Sequence, residues 1–222
     1  MQYENAQKGI KQIFNAEVLQ ILATIIAIVG AVVALVGGMS MIATEEITAG
    51  GLLSAGIGGL IAIVGGIFAI IGIIMNIVGV ANAAKDRDDF KRALLWLLIS
   101  LAASAVSVFT TSTSDLLSDI FSLVSNLGAL FSTLFVIQGV ILLAKELGKP
   151  EVAEKGERCL KLIVATYVII LIVRVIDIVL NFAGAVAAET VIEGTLSLAA
   201  LIINIIAYFI YMSMLSKAKK MF

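Results

Sequence analysis

The sequence predicts an all-α integral membrane protein: six transmembrane helices arranged as three antiparallel hairpins. Three observations predict it. The composition is too apolar for water, with 61% of the 222 residues hydrophobic, 14% charged and a mean hydropathy of +1.12. A soluble domain is nearer half apolar and a quarter charged, and a chain of this size cannot bury such an excess. Six stretches are also long and apolar enough to cross a bilayer. Finally, the basic residues collect in alternate connections, as they do when one side of the membrane is cytoplasmic.

A crossing requires about 20 largely apolar residues, because a helix rises about 1.5 Å per residue through about 30 Å of hydrocarbon. The N-terminal stretch before the first crossing is amphipathic. Tyr3, Ile10, Ile13, Phe14 and Val18 recur at helical spacing against Lys8, Lys11 and Glu17. Such a segment lies along the inner surface or simply extends the first crossing as helix. It lacks the form of a signal peptide, since polar residues persist to Gln20 and no cleavage site follows the apolar run, so the first crossing is read as retained.

The crossings run approximately over 16–38, 50–83, 92–110, 118–144, 160–183 and 191–215. The second is long enough to tilt or to project from the bilayer. Together they make one transmembrane domain, residues 1–222, divided into hairpins at about 1–84, 85–148 and 149–222.

Fourteen of the fifteen basic residues lie in four places: Lys8 and Lys11; Lys85, Arg87, Lys91 and Arg92; Lys145, Lys149, Lys155, Arg158 and Lys161; and Lys217, Lys219 and Lys220. The other three connections carry Glu45, Glu46, Asp115, Asp119, Glu189 and Glu193 and no base. Six crossings put these two groups on opposite sides, and the positive-inside rule then places both termini in the cytoplasm. The returning crossings end alike, in Gly79–Lys85, Gly139–Lys145 and, more loosely, Tyr211–Lys217. A degenerate threefold repeat produces this pattern, and so does the general preference of inner boundaries for Lys and Arg.

Small residues form seams. In the second crossing Gly51, Ala55, Gly58, Ala62, Gly65, Ala69, Gly72, Asn76, Gly79 and Ala83 follow alternating spacings of four and three. That period keeps one stripe facing one partner, and small side chains let another backbone approach closely. The first crossing has a matching stripe in Ala23, Ala27, Gly30, Ala34 and Gly37, so the simplest expectation is that the two stripes face each other. A pore lining, or a seat for another chain, is the functional alternative. The fourth crossing has a serine version in Ser118, Ser122, Ser125, Ala129, Ser132 and Gly139, where hydroxyls can bond their own helix or a neighbour.

Arg174 is the only basic residue away from the inner boundary, roughly 22 Å from Cys159 along a helix. Asp177 follows three residues later on the same face, and Asn181 continues the stripe. A charge inside a bilayer costs at least about 2.5 kcal/mol, so such residues usually face a protein interior. Asn204 and Ser197 on the sixth crossing are candidate companions. The group is the candidate buried polar site: a structural ion pair, a ligand, ion or proton site, or a contact to a partner.

The remaining inventory argues against enzymatic chemistry. There is no histidine, which removes Ser–His catalysis, His-ligated metals and haem ligation by His. There is no GxSxG and no phosphate-binding glycine loop. One cysteine excludes an internal disulfide, and Cys159 reads as an inert interfacial thiol or an acylation site. No cofactor is expected, and a net charge of −1 gives no ground for nucleic acid. The expected partners are the lipid bilayer and a membrane protein or second copy of the chain. The expected function is a non-enzymatic membrane subunit, scaffold or assembly partner. The alternative is a small transporter or channel built around Arg174 and Asp177.

Overall fold

A computed structural model of the chain is all α. It describes residues 3–44, 49–110, 115–183, 202–203 and 205–222, with side-chain surroundings described for 3–37, 53–54, 56–110, 117–118, 120–169, 202–203 and 205–222. The helices are α1 (Glu4–Thr44), α2 (Ala49–Ala83), α3 (Asp88–Thr110), α4 (Asp115–Glu146), α5 (Pro150–Ala183) and α6 (Ile205–Ala218). They fall into two compact units, Met1–Ala83 and Ala84–Phe222.

The first unit is a single hairpin. α1 is one unbroken helix of 41 residues and α2 one of 35, about 61 and 52 Å at the usual rise and well beyond the thickness of hydrocarbon. Of the two readings of the N-terminal stretch, the structure takes the helical extension. Ile10 and Ile13 are fully buried, so this stretch does not lie free along a surface. The reason is that the small-residue register of α1 does not stop at Ala23. It continues back through Ala16 to Gly9, and α2 is long enough to accompany it.

The second unit packs α3 against α4 and α4 against α5. The charged inner segment 145–161, whose composition reads as a solvated helical connection, is helical in all but a short turn, since α4 ends at Glu146 and α5 begins at Pro150. Gly148 takes the left-handed conformation, φ 64°. Its N–H donates to the Lys145 carbonyl at 3.2 Å, and the Lys149 N–H donates to the Ala144 carbonyl at 2.8 Å. This pair of bonds ends α4 as a Schellman motif, and Pro150 then opens α5 at the one helical position where its missing N–H is harmless. Hydropathy marked where the apolar part of each helix begins, whereas the helices themselves continue into charged sequence.

Burial is concentrated at one end of this unit. Phe90 of α3, Ile137, Val140 and Leu143 of α4, Cys159 of α5, and Met214 and Leu215 of α6 are fully buried, all within about three turns of the basic residues. Away from that end large apolar side chains lie open, with Val108 72% and Phe109 79% exposed. Long, apolar, exposed helices are surfaces for lipid rather than water, and the chain is a polytopic membrane protein.

Among the described residues four helices, not six, are long and apolar enough to cross: Glu4–Gly37, Gly56–Ala83, Asp88–Thr110 and Ile120–Glu146. α6 has 14 described residues, about 21 Å, which falls short of the hydrocarbon thickness. The apolar half of α5 lies where side chains are outside the description.

Candidate functional site

The first candidate is the seam between α1 and α2. A Cβ added to Gly58 would fall 2.5 Å from the Ala34 nitrogen and 2.6 Å from the Gly30 carbonyl oxygen. One added to Gly30 would lie 2.8 Å from both the Ala62 nitrogen and the Gly58 oxygen. A Cβ added to Gly65 would lie 3.0 and 3.1 Å from Ala23 and Ala27, one on Gly72 3.0 Å from Gln20 and 3.3 Å from Ala16, and one on Gly79 2.9 Å from both Gly9 and Ile13. The two backbones therefore touch along most of the hairpin, at distances that leave no space for a side chain. Gly37 is buried. Gly51 lies on α2, but its surroundings are outside the description.

The adjacent glycines have the opposite environment. Gly56, Gly59 and Gly66 have nothing within 4 Å of an added Cβ. Of each pair, Gly58-Gly59 and Gly65-Gly66, only the first faces α1. Beside the seam is an open groove of about 400 Å³ whose wall includes Gln20, Thr24, Ala27, Ala62 and Gly66. Thr24 Oγ1 donates to the Gln20 carbonyl at 2.9 Å and is thereby satisfied by its own helix. Nearer the chain's basic N-terminal residues, Asn82 Nδ2 donates to Gln12 Oε1 at 2.7 Å across the seam.

The α3–α4 seam is built with hydroxyls. Ser100 Oγ donates to the Ser125 carbonyl at 2.8 Å, and Ser107 Oγ donates to the Ser118 carbonyl at 3.0 Å. Gly128, rather than the expected Ala129, occupies the close approach: its added Cβ would lie 3.0 Å from Ser100. Ser132 is buried, while the Ala129 carbonyl accepts the Thr133 hydroxyl within its own helix at 3.0 Å. Gly139 makes room for the ring of Phe90, and Trp96 stacks at a tilt on Phe131 with centroids 4.8 Å apart.

Charged groups of the second unit gather where its core lies. Arg87 bridges Glu146 at 2.6 Å and Asp89 at 3.4 Å, tying the start of α3 to the end of α4. Lys145 pairs with Glu157 at 2.7 Å, and Lys217 with Glu151 at 2.8 Å. The hydrogen bond and the charge of Lys217 hold the Glu151 carboxyl below its ordinary value, and Lys145 does the same for Glu157.

Lys155 Nζ donates to Ser213 Oγ at 2.8 Å. This is the nearest approach to a nucleophile–base pair among the described residues. Ser213 is nevertheless inside α6, where backbone N–H groups are taken up by the helix and none is left to stabilise an oxyanion. The pair ties α5 to α6. Cys159 is buried, with its Sγ 3.7 Å from the Ala207 carbonyl oxygen. That burial keeps the thiol from an acyl donor, and the neighbouring Arg158 and Lys161 do not make it reactive.

Neither a family model, a curated protein nor a solved structure matches this chain. Its function must be argued from its own residues. Arg174, Asp177 and Asn181 lie on α5, whose backbone is helical to Ala183. Their side chains, and Asn204 and Ser197 altogether, fall outside the described residues. No group of three or more metal-ligating side chains occurs among the described residues.

Sequence reasoning missed the continuation of the seam to Gly9, the Lys155–Ser213 link and the Arg87 bridges. The first was legible: Gly9, Ile13, Ala16, Gln20 and Ala23 continue the four-three spacing. The Lys155–Ser213 and Arg87–Glu146 links join positions 58 and 59 residues apart, and no local pattern signals such pairs.

Proposed function

We propose that this protein is a non-enzymatic, six-span membrane component, with both termini cytoplasmic, that works as a subunit, scaffold or assembly partner. The observation that carries the reading is the backbone contact along α1 and α2. A stripe occupied by a neighbouring backbone is a packing device rather than a conduit, and the longest glycine pattern in the chain is used up in this way. The basic residues at the ends of the hairpins supply the orientation. The helical hairpins are read as three, with the last formed by α5 and the sixth crossing. A threefold repeat remains part of this proposal on the strength of the similar hairpin endings.

Gentle-detergent purification followed by mass spectrometry of what accompanies the chain tests the proposal. A stoichiometric membrane protein or a second copy is the expected result, and a monomer that carries solute across proteoliposome membranes overturns it. Orientation is tested separately by cysteine labelling of a C-terminal tag from either side of sealed vesicles.

A transporter reading draws on α5. Its unbroken helix keeps Arg174 and Asp177 on one face, three residues apart. Arg174→Ala should destabilise the protein by leaving an acid unpaired in the membrane, whereas Arg174→Met with Asp177→Leu should be better tolerated. A double variant that folds but loses a transport signal favours the transporter. One that is as badly folded as the single variant removes the ion pair itself.

A further inference from the structure

The turn between α4 and α5 and the segment following α6 form the two walls of a groove of about 450 Å³ in the second unit. Its wall carries three ammonium groups, Lys149, Lys217 and Lys220, and one carboxylate, Glu151. Glu151 is already paired with Lys217 at 2.8 Å. Lys149 and Lys220 are exposed and have no ion pair among the described residues. Beneath them Val152 and Met221 are each 5% exposed and provide an apolar floor. The groove therefore offers two uncompensated positive charges over a hydrophobic base, which is the complement of a phosphate ester carrying an acyl glycerol.

Its level along α6 matches that ligand. Tyr208, half-buried, packs its ring against the buried Tyr211 with centroids 6.3 Å apart, and a partly exposed tyrosine favours the boundary between hydrocarbon and headgroups. Lys217 follows Tyr211 by six residues, about 9 Å along the helix, which is headgroup height. Phe209, about two turns before Lys217 on the same helix, is 69% exposed and offers an apolar surface on the hydrocarbon side of that level. The turn that presents Lys149 is held in one conformation by Gly148 and the two bonds closing α4, so this wall is preformed.

We propose that this groove binds the phosphate of an anionic phospholipid from the leaflet at the basic end of the protein. Basic pockets at the cytoplasmic ends of membrane helices recognise such headgroups, each lysine contributing measurably near the surface. The inference rests on the membrane reading and on the basic end being cytoplasmic, where anionic lipid acts on it.

Native mass spectrometry of the full chain in a mild detergent, with phosphatidylglycerol or phosphatidylcholine added, tests the binding. The expected result is one phosphatidylglycerol retained per chain in preference to phosphatidylcholine. Retention should fall about tenfold or more in Lys149→Gln/Lys220→Gln and stay unchanged in Lys8→Gln/Lys11→Gln. Both lysines are exposed, so the variant should keep the wild-type melting temperature. Equal retention by wild type and Lys149→Gln/Lys220→Gln overturns the proposal. Inorganic phosphate binding as tightly as the lipid would make it a site for free phosphate, and an acidic peptide binding where the lipid does not would make it a protein-docking surface. Either result overturns the lipid assignment. Because the measurement is made in detergent, it does not depend on orientation. A C-terminal tag labelled only from outside would sink the orientation while leaving the binding result standing.

Discussion

The first and second hairpins are both antiparallel and both narrow, yet they are held by different forces. Between α1 and α2 the contacts are glycine and alanine against backbone, and much of the seam has nothing polar to contribute. Between α3 and α4 there are fewer glycine contacts, and serine hydroxyls cross to the facing carbonyls at Ser125 and Ser118. In lipid the hydrophobic effect does not favour one apolar helix pair over another. Association then depends on close packing and on polar groups that find partners. The first hairpin relies on close packing over a great length. The second, with shorter helices, adds discrete hydrogen bonds and a stacked Trp96–Phe131 pair. A seam of the first kind should be intolerant of volume, and one of the second kind should be sensitive to chemistry.

The largest expected effect tests the first half of that contrast. Gly58→Leu would force a side chain into the Ala34 and Gly30 backbone, where nothing flexible can give way. A loss of about 3 kcal/mol or more is expected, at the upper end for overpacked cores. Gly59→Leu, one residue away and with open space around it, should stay within about 0.5 kcal/mol. Unfolding of both variants in mixed detergent micelles compares them directly. If Gly59→Leu folds normally but loses a partner or second copy, the open face is the docking face. If the two variants are equally damaging, the seam is assigned to the wrong face.

Gly65→Leu should follow, at about 2 kcal/mol, because its contacts with Ala23 and Ala27 are looser than those of Gly58. Gly66→Leu is its neutral counterpart, and the ranking of Gly58 above Gly65 is checked by the same unfolding series.

Chemistry should dominate in the second hairpin. Ser100→Ala removes the donor to the Ser125 carbonyl, for a loss of about 0.6 kcal/mol and no more than about 1.7. Ser125→Ala leaves that carbonyl in place, since the backbone is the acceptor, and should be smaller still. Ser100→Val, which fills the space without the hydroxyl, separates the bond from the packing: it should be worse than Ser100→Ala, because Gly128 packs so close that a Cβ added there would lie 3.0 Å from Ser100.

The smallest effect belongs to the exposed pairs at the basic end. Lys217 and Lys145 hold Glu151 and Glu157 below the ordinary glutamate value of 4.5. Their contribution is therefore complete above that value and is lost as the pH falls through the lower folded value. Melting temperature in detergent should be flat from neutral pH to about 5 and decline slightly below it. Glu151→Gln/Glu157→Gln should reduce that slope, leaving the part due to Asp88, which Lys91 holds down in the same way, and added salt should shrink it further.

The sequence by itself determined the solvent, the helical class and the sides of the chain on which charge collects. These follow from local quantities: the length of apolar runs, the period of small residues and the sign of each connection. The four-three spacing of Gly58, Gly65, Gly72 and Gly79 already marks one face of α2, because a 3.5-residue repeat keeps such residues in line. The spacing does not say what lies against that face. The tertiary structure places α1 there, extends the contact back to Gly9, and leaves Gly59 and Gly66 beside it in open space. It likewise decides that α5 starts at Pro150, that Cys159 is buried, and that Gly128 takes the place expected of Ala129. The physical reason is the same in each case. Helix periodicity acts through neighbours three and four residues apart, whereas partner, depth and closest approach depend on groups far apart in the chain that meet only when the helices pack.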